Sequence, residues 1–192
     1  MFHFIGGVPR AGKSILSTRL SQKLGIAKID FDDITFVLQE ILPEYGLFME
    51  MDSEANRQAK SLPIIKTLIK YYQNQNRSLI IEGDNFSPND FRLYQKLTNN
   101  QIRMSFLGYP DIEPKIKIQL NTQNTKVETV CWFENLDDDK EKIRIIKEFI
   151  DRSKEFKSQI KKISDDNLRF FDTIPGFEAA LNEAQRFHLL SL

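Results

Sequence analysis

The chain has 192 residues, 41% of them hydrophobic and 28% charged, and its 27 basic residues balance 27 acidic ones. No global field therefore attracts nucleic acid or an anionic membrane, and any affinity for phosphate has to come from a local cluster of groups. A single cysteine, Cys131, excludes an intramolecular disulfide and a thiolate metal cluster, and no run reaches the roughly 18 apolar residues that cross a bilayer. The first residues, Met-Phe-His-Phe-Ile-Gly-Gly, lack the basic region and apolar core of a signal peptide, so the cytoplasm is the expected address. The length suits one domain spanning 1–192, as a monomer or homodimer.

Phe2 to Ile5 is short, apolar and aromatic, and it breaks at Gly6-Gly7, the pattern of a strand entering a glycine loop. From Ser14 the spacing of Ile15, Leu16, Leu20 and Leu24 predicts a helix that stops at Gly25. Ala27 to Ile29 reads as a second strand, ending in Asp30-Phe31-Asp32-Asp33. A helix follows through Ile34, Val37, Leu38 and Ile41, halted at Leu42-Pro43. Ala55, Ala59, Leu62, Ile65, Ile69 and Tyr72 predict a long helix to Asn74, kinked or broken at Pro63. Ser78 to Gly83 contains a continuous apolar run, which suits a strand covered on both faces.

Phe91 to Leu97 suggests a helix, Met104 to Tyr109 a strand, and Pro114 the first turn of a helix through Ile116 and Leu120. Residues 121–136 have no clear period and read as a flap, taken with its flanks as 121–140. Asp137-Asp138-Asp139 opens a long helix to Ile163, Leu168 to Asp172 is a final strand, and Phe177 to Leu190 a final helix. Strand and helix alternating about five times predict an α/β three-layer sandwich around a parallel sheet of about five strands.

The segment Gly7-Val8-Pro9-Arg10-Ala11-Gly12-Lys13-Ser14 satisfies G-x-x-x-x-G-K-[ST] at every fixed position, after a predicted strand and at the start of a predicted helix. Glycines let successive amides point at one anion, and the helix start adds its positive end. Lys13 would reach the β- and γ-phosphates, and the Ser14 hydroxyl would ligate Mg²⁺. A random chain of this length shows the pattern only about once in a hundred.

On this loop and its element order the chain resembles the P-loop NTPases, within them the kinases of small molecules similar to adenylate and shikimate kinases. No N-K-x-D or D-x-x-G pattern supports a GTPase, and no L-S-G-G-Q-like signature supports a transporter ATPase. The resemblance implies ATP and Mg²⁺ as cofactors, phosphoryl transfer to a small-molecule acceptor, and an acceptor-binding lobe in the helical segment 33–76. Asp30 and Asp32 lie two apart at the end of the second strand, where an extended chain would aim both the same way. A similar D-x-D in shikimate-kinase-like enzymes makes Asp32 the candidate for orienting or deprotonating the acceptor hydroxyl, with Asp33 capping the next helix. Glu82, at the end of the apolar strand, is placed to hold the metal; Glu82 or Asp84 could alternatively bind the acceptor.

Phosphoryl transfer needs cations around the moving group. Beyond Lys13 the candidates are Arg10, Arg57, Arg92, Arg144 and Arg152, because residues 121–140 contain no arginine. Arg152, in Phe-Ile-Asp-Arg-Ser-Lys, resembles the arginine that follows the lid in these kinases, and Arg57 could clamp an anionic acceptor. Tyr45, Phe48, Met49 and Met51 suit either an acceptor pocket or the core. Cys131-Trp132-Phe133 suits a flap hinge or a buried corner, and His3 and His188 are too isolated for a metal site. By analogy with related kinases, the Thr173-Pro175-Gly176 turn would meet adenine. Two rival readings remain: a nucleotide-binding regulator that no longer transfers phosphate, and a kinase of a macromolecular acceptor, against whose RNA version the neutral charge speaks.

Overall fold

The computed structural model describes residues 1–47, 54–123, 136, 138–174 and 176–190. Five strands form one all-parallel sheet: β1 (Phe2–Gly7), β2 (Ala27–Asp30), β3 (Leu79–Glu82), β4 (Ile102–Gly108) and β5 (Leu168–Asp172). Their order is β2-β3-β1-β4-β5, so the chain leaves β1 for the edge, returns beside it with β3, and crosses to the other side with β4. Such reversals on either side of a strand open a crevice at the carboxyl ends of the strands, where ligands of α/β sheets bind.

The helices are α1 (Lys13–Leu24), α2 (Phe31–Ile41), α3 (Glu54–Asn74), α4 (Phe91–Leu97), α5 (Pro114–Gln123), α6 (Asp139–Ile163) and α7 (Phe177–Leu189). Alternate side chains of each strand serve the two faces of the sheet. On one face His3, Ser105 and Phe171 meet α7 through His188 and Phe187. On the other, Phe4 stacks on Tyr94 of α4 at 4.9 Å and Phe106 tilts against Phe156 of α6 at 5.0 Å. Burial on both faces explains why Leu79, Ile80 and Ile81 form an unbroken apolar run, each with no exposed surface.

The predicted strands and helices are present, with some differences of detail. α3 runs through Pro63 as one helix of 21 residues, so the predicted break is absent. α2 is capped by Asp30, whose carboxylate accepts from the Asp32 amide at 3.0 Å; Asp33 is not the cap. An Asn, Asp or Ser two residues before a free helical amide satisfies it best, and Asp30 has that spacing. Residues 121–123 end α5, so the flap expected from residue 121 does not start there, and residues 124–135 lie outside the described residues. Phe48, Met49, Met51, Cys131, Trp132, Phe133, Asp137 and Pro175 lie outside the described residues.

Candidate functional site

The glycine loop leaves β1 under tight geometric control. Gly7 has φ +134°, and a Cβ there would lie 2.1 Å from the Leu107 carbonyl oxygen, so no side chain fits. Gly12 caps α1 at φ +95°, with the Phe177 ring 2.8 Å from where a Cβ would stand. Two side chains from the β4–α5 region hold the curl from outside. The Tyr109 hydroxyl donates to the Pro9 carbonyl at 2.8 Å, and Lys117 Nζ donates to the Arg10 carbonyl at 3.1 Å while lying 4.1 Å from the Tyr109 ring centre. Burial, then the charge of Arg10, pulls the Lys117 ammonium down to about 8. No side chain caps α1. Its first-turn amides therefore face the loop, the arrangement that receives an anion.

Four carboxylates converge on this loop. Lys13, 9% exposed, donates to the Val8 carbonyl at 3.2 Å and pairs with Asp84 Oδ1 at 2.5 Å. Burial alone would lower its pKa, but Asp84, Asp32 and Glu82 outweigh that and raise it, so the ammonium stays charged. The parallel pairing of β2 with β3 sets Asp30 level with Glu82. Glu82 also accepts from Ser14 at 2.8 Å and from Ser17 at 3.2 Å. Burial, followed by the neighbouring Asp30 carboxyl, pushes Glu82 up to about 7. A divalent cation would relieve this crowding, and an all-oxygen set of hydroxyl and carboxylate suits Mg²⁺, which fills its remaining positions with water and phosphate.

Asp32 stands in the first turn of α2 rather than on an extended strand beside Asp30, because the helix begins at Phe31. Its Oδ1 accepts from Asn85 Nδ2 at 3.2 Å and lies 3.4 Å from the Asp84 amide. Burial first, then the charge of Asp84, raises Asp32 to about 6. Asp32, Thr35, Arg57, Asp84 and Asn85 line a cavity of about 70 Å³. Among the described residues Arg57 Nε has no hydrogen-bond partner although it is buried, and neither has the Ser61 hydroxyl one turn further along α3. Buried donors left unmade are costly, so these two favour a polar ligand.

Arg152 reaches the site from α6 and donates to the Asp84 carbonyl at 2.9 Å. Arg144 and Arg92 do not: Arg144 pairs with Glu141 and Glu148, and Arg92 with Asp165, all near the surface. Tyr45 donates its hydroxyl to the Lys60 carbonyl at 2.8 Å, away from the cavity lining. His3 and His188, far apart in the sequence, meet in the core at 3.1 Å. Ser17, Thr35, Asn85, Tyr109 and Lys117 join the site without a motif to mark them. Ser17 had a visible signal, lying three residues after Ser14 and so on the same side of α1.

No protein-family model matches the chain, and no curated protein matches it in sequence. Solved structures share its fold. A shikimate kinase from Bacteroides thetaiotaomicron has a TM-score of 0.56 and 16% identity, covering 100% of this chain and 99% of its own. A gluconokinase from Sinorhizobium meliloti 1021 has a TM-score of 0.54 and 12% identity, covering 96% of this chain and 89% of its own. At such identities the likeness is one of fold, and the fold is that of the P-loop kinases.

Proposed function

We propose that the protein transfers the γ-phosphoryl group of ATP to a hydroxyl of a small-molecule acceptor. The observation that carries this reading is the wall shared by two compartments. Asp84 pairs with the loop lysine Lys13 and also lines the cavity that holds Asp32 and Arg57. Phosphate donor and acceptor would thus sit on either side of one residue, the proximity that transfer demands.

The residues Gly7, Val8, Pro9, Arg10, Ala11 and Gly12 would present backbone amides to the triphosphate, with Lys13 on its β- and γ-oxygens. Asp32 would accept the proton of the acceptor hydroxyl as its oxygen attacks the γ-phosphorus. That O–P bond forms while the bond to the β,γ-bridging oxygen breaks, ADP departs with the electron pair, and the proton leaves Asp32 for solvent. Ser14 and Glu82 fit a Mg²⁺ ion. When bound, it would neutralise charge on the phosphate oxygens. Asp30 would keep Glu82 in place, and Arg152 would hold the Asp84 segment and face the transferring group. The unpartnered Arg57 Nε favours an acceptor carrying a carboxylate or phosphate as well as its hydroxyl.

The test is ADP release across a panel of hydroxy acids, sugars, sugar acids and nucleoside monophosphates, with the wild type beside Lys13→Ala. Turnover of one acceptor class that Lys13→Ala nearly abolishes is the expected result. Binding of ATP with no product from any acceptor would leave a nucleotide-binding regulator instead.

A further inference from the structure

We infer that Asp84 gates the phosphate loop: its carboxylate holds Lys13 where a triphosphate oxygen would take it, and nucleotide binding turns that carboxylate into the acceptor cavity. This rests on the proposed nucleotide site and adds the order in which the site assembles. The Lys13–Asp84 pair is close, at 2.5 Å, and largely enclosed, the two side chains being 10% and 24% exposed. The Val8 carbonyl accepts one of the ammonium's donors, and Asp84 Oδ1 lies beside it as its counter-ion. The β- and γ-oxygens of a nucleotide need that same ammonium, so phosphate and carboxylate compete for one cation.

The backbone at Asp84 is tied down by hydrogen bonds, whereas its side chain is held by the ion pair with Lys13. Arg152 holds the carbonyl at 2.9 Å, and the amide faces Asp32 Oδ1 at 3.4 Å. Rotation about the side-chain bonds alone moves the carboxylate from Lys13 to the cavity that Asp84 already lines. There it joins Asp32, Thr35 and Asn85 as a further hydrogen-bond acceptor for a hydroxylated ligand. Nucleotide therefore precedes acceptor, and each tightens the other by the same factor. A nucleotide without β- and γ-phosphates does not reach Lys13 and meets no gate.

Equilibrium titration of wild type, Asp84→Asn and Asp84→Ala with the magnesium complex of AMP-PNP, and separately with AMP, tests this. Asparagine keeps the shape of Asp84 and removes its charge, and melting temperatures establish that each variant is folded. AMP-PNP should bind at least about fivefold tighter to both variants, with AMP unchanged within about twofold. A wild-type structure with AMP-PNP should show Asp84 Oδ1 out of hydrogen-bond reach of Lys13. Equal or weaker AMP-PNP binding by the folded variants overturns the gate while leaving the nucleotide site standing. So does a wild-type complex in which Asp84 and the phosphates share Lys13. If none of the three proteins binds AMP-PNP, the nucleotide site fails and the gate with it.

Discussion

The Ser14 hydroxyl donates to Glu82 at 2.8 Å, tying the start of α1 to the end of β3 across 68 residues of chain. Glu82 is 2% exposed and lies between Ser14, Ser17 and Asp30, so its carboxylate is held rigidly on the rim of the phosphate loop. Glu82→Gln preserves the shape and the Ser14 contact while removing one of two crowded charges. The variant should melt at or above the wild-type temperature at pH 8. The magnesium concentration giving half-maximal turnover should rise by about tenfold, the scale on which supporting groups tune metal sites. A magnesium titration of turnover checks this, and an unchanged midpoint would remove Glu82 from the metal site.

Gly7 and Gly12 both adopt positive φ, yet they should not tolerate a methyl group equally. At Gly7 the added Cβ would meet backbone, the Leu107 carbonyl oxygen at 2.1 Å, and β1 and β4 cannot separate without losing the sheet. At Gly12 it would meet the edge of the Phe177 ring at 2.8 Å, and that ring is 37% exposed and can swing aside. Gly7→Ala should fail to fold or lose several kcal/mol, whereas Gly12→Ala should lose about 1–2 kcal/mol, mostly from backbone strain. Urea denaturation of the two variants decides it, and equal losses would contradict the packing argument.

Much of the fold was legible because local rules suffice for it. Apolar runs bounded by Gly6-Gly7 and Gly83 marked buried strands, and i, i+3, i+4 spacing marked α1, α3 and α6. The loop residues Gly7 to Ser14 announced themselves by spacing, since phosphate chemistry needs those types in that order. What was missed depends on chain separation. Lys117 reaches Arg10 across 107 residues and Tyr109 reaches Pro9 across 100, and nothing in either local stretch encodes such a meeting. The cap was assigned to Asp33 instead of Asp30 for a different reason. An acid at a strand end and an acid capping a helix look alike until the helix start, at Phe31, is known.

Asp32 should impose an acid limb on the activity. Its carboxyl, raised to about 6 by burial and then by Asp84, is ionised at neutral pH and basic enough to receive a proton there. Lys13 and the Asp84 amide oppose the shift, Asp30 adds to it, and Arg57 faces Asp32 across the cavity. Because the reaction needs the unprotonated form, kcat/KM should be level above about pH 7 and fall tenfold per pH unit below about 6. Asp32→Asn should lower turnover about 10²- to 10⁴-fold, the range for loss of a general base. A pH–rate profile with no break between pH 5 and 7 would rule Asp32 out as that base.

The core carries its own pH sensitivity, away from the site. His3 Nδ1 and His188 Nδ1 face each other at 3.1 Å, and His188 Nε2 meets the Ser105 hydroxyl at 2.8 Å. One imidazole must donate and the other accept, so the contact is lost once both rings are protonated. Burial lowers His3 to about 4, helped by the N-terminal ammonium and Arg103, and burial with His3 and Arg103 holds His188 well below its usual value. Both folded values lie below the unfolded one, so the unfolded chain binds more protons as pH falls. The stabilising contribution is complete above about pH 6.5 and drains away between there and about pH 4. For His3 alone the shift corresponds to about 3 kcal/mol. Urea midpoints at pH 7.5, 5.5 and 4.5 should therefore fall more steeply for the wild type than for His3→Gln, in which carboxylates titrate as before but the pair is gone. Parallel slopes for the two proteins would show that acid unfolding begins elsewhere.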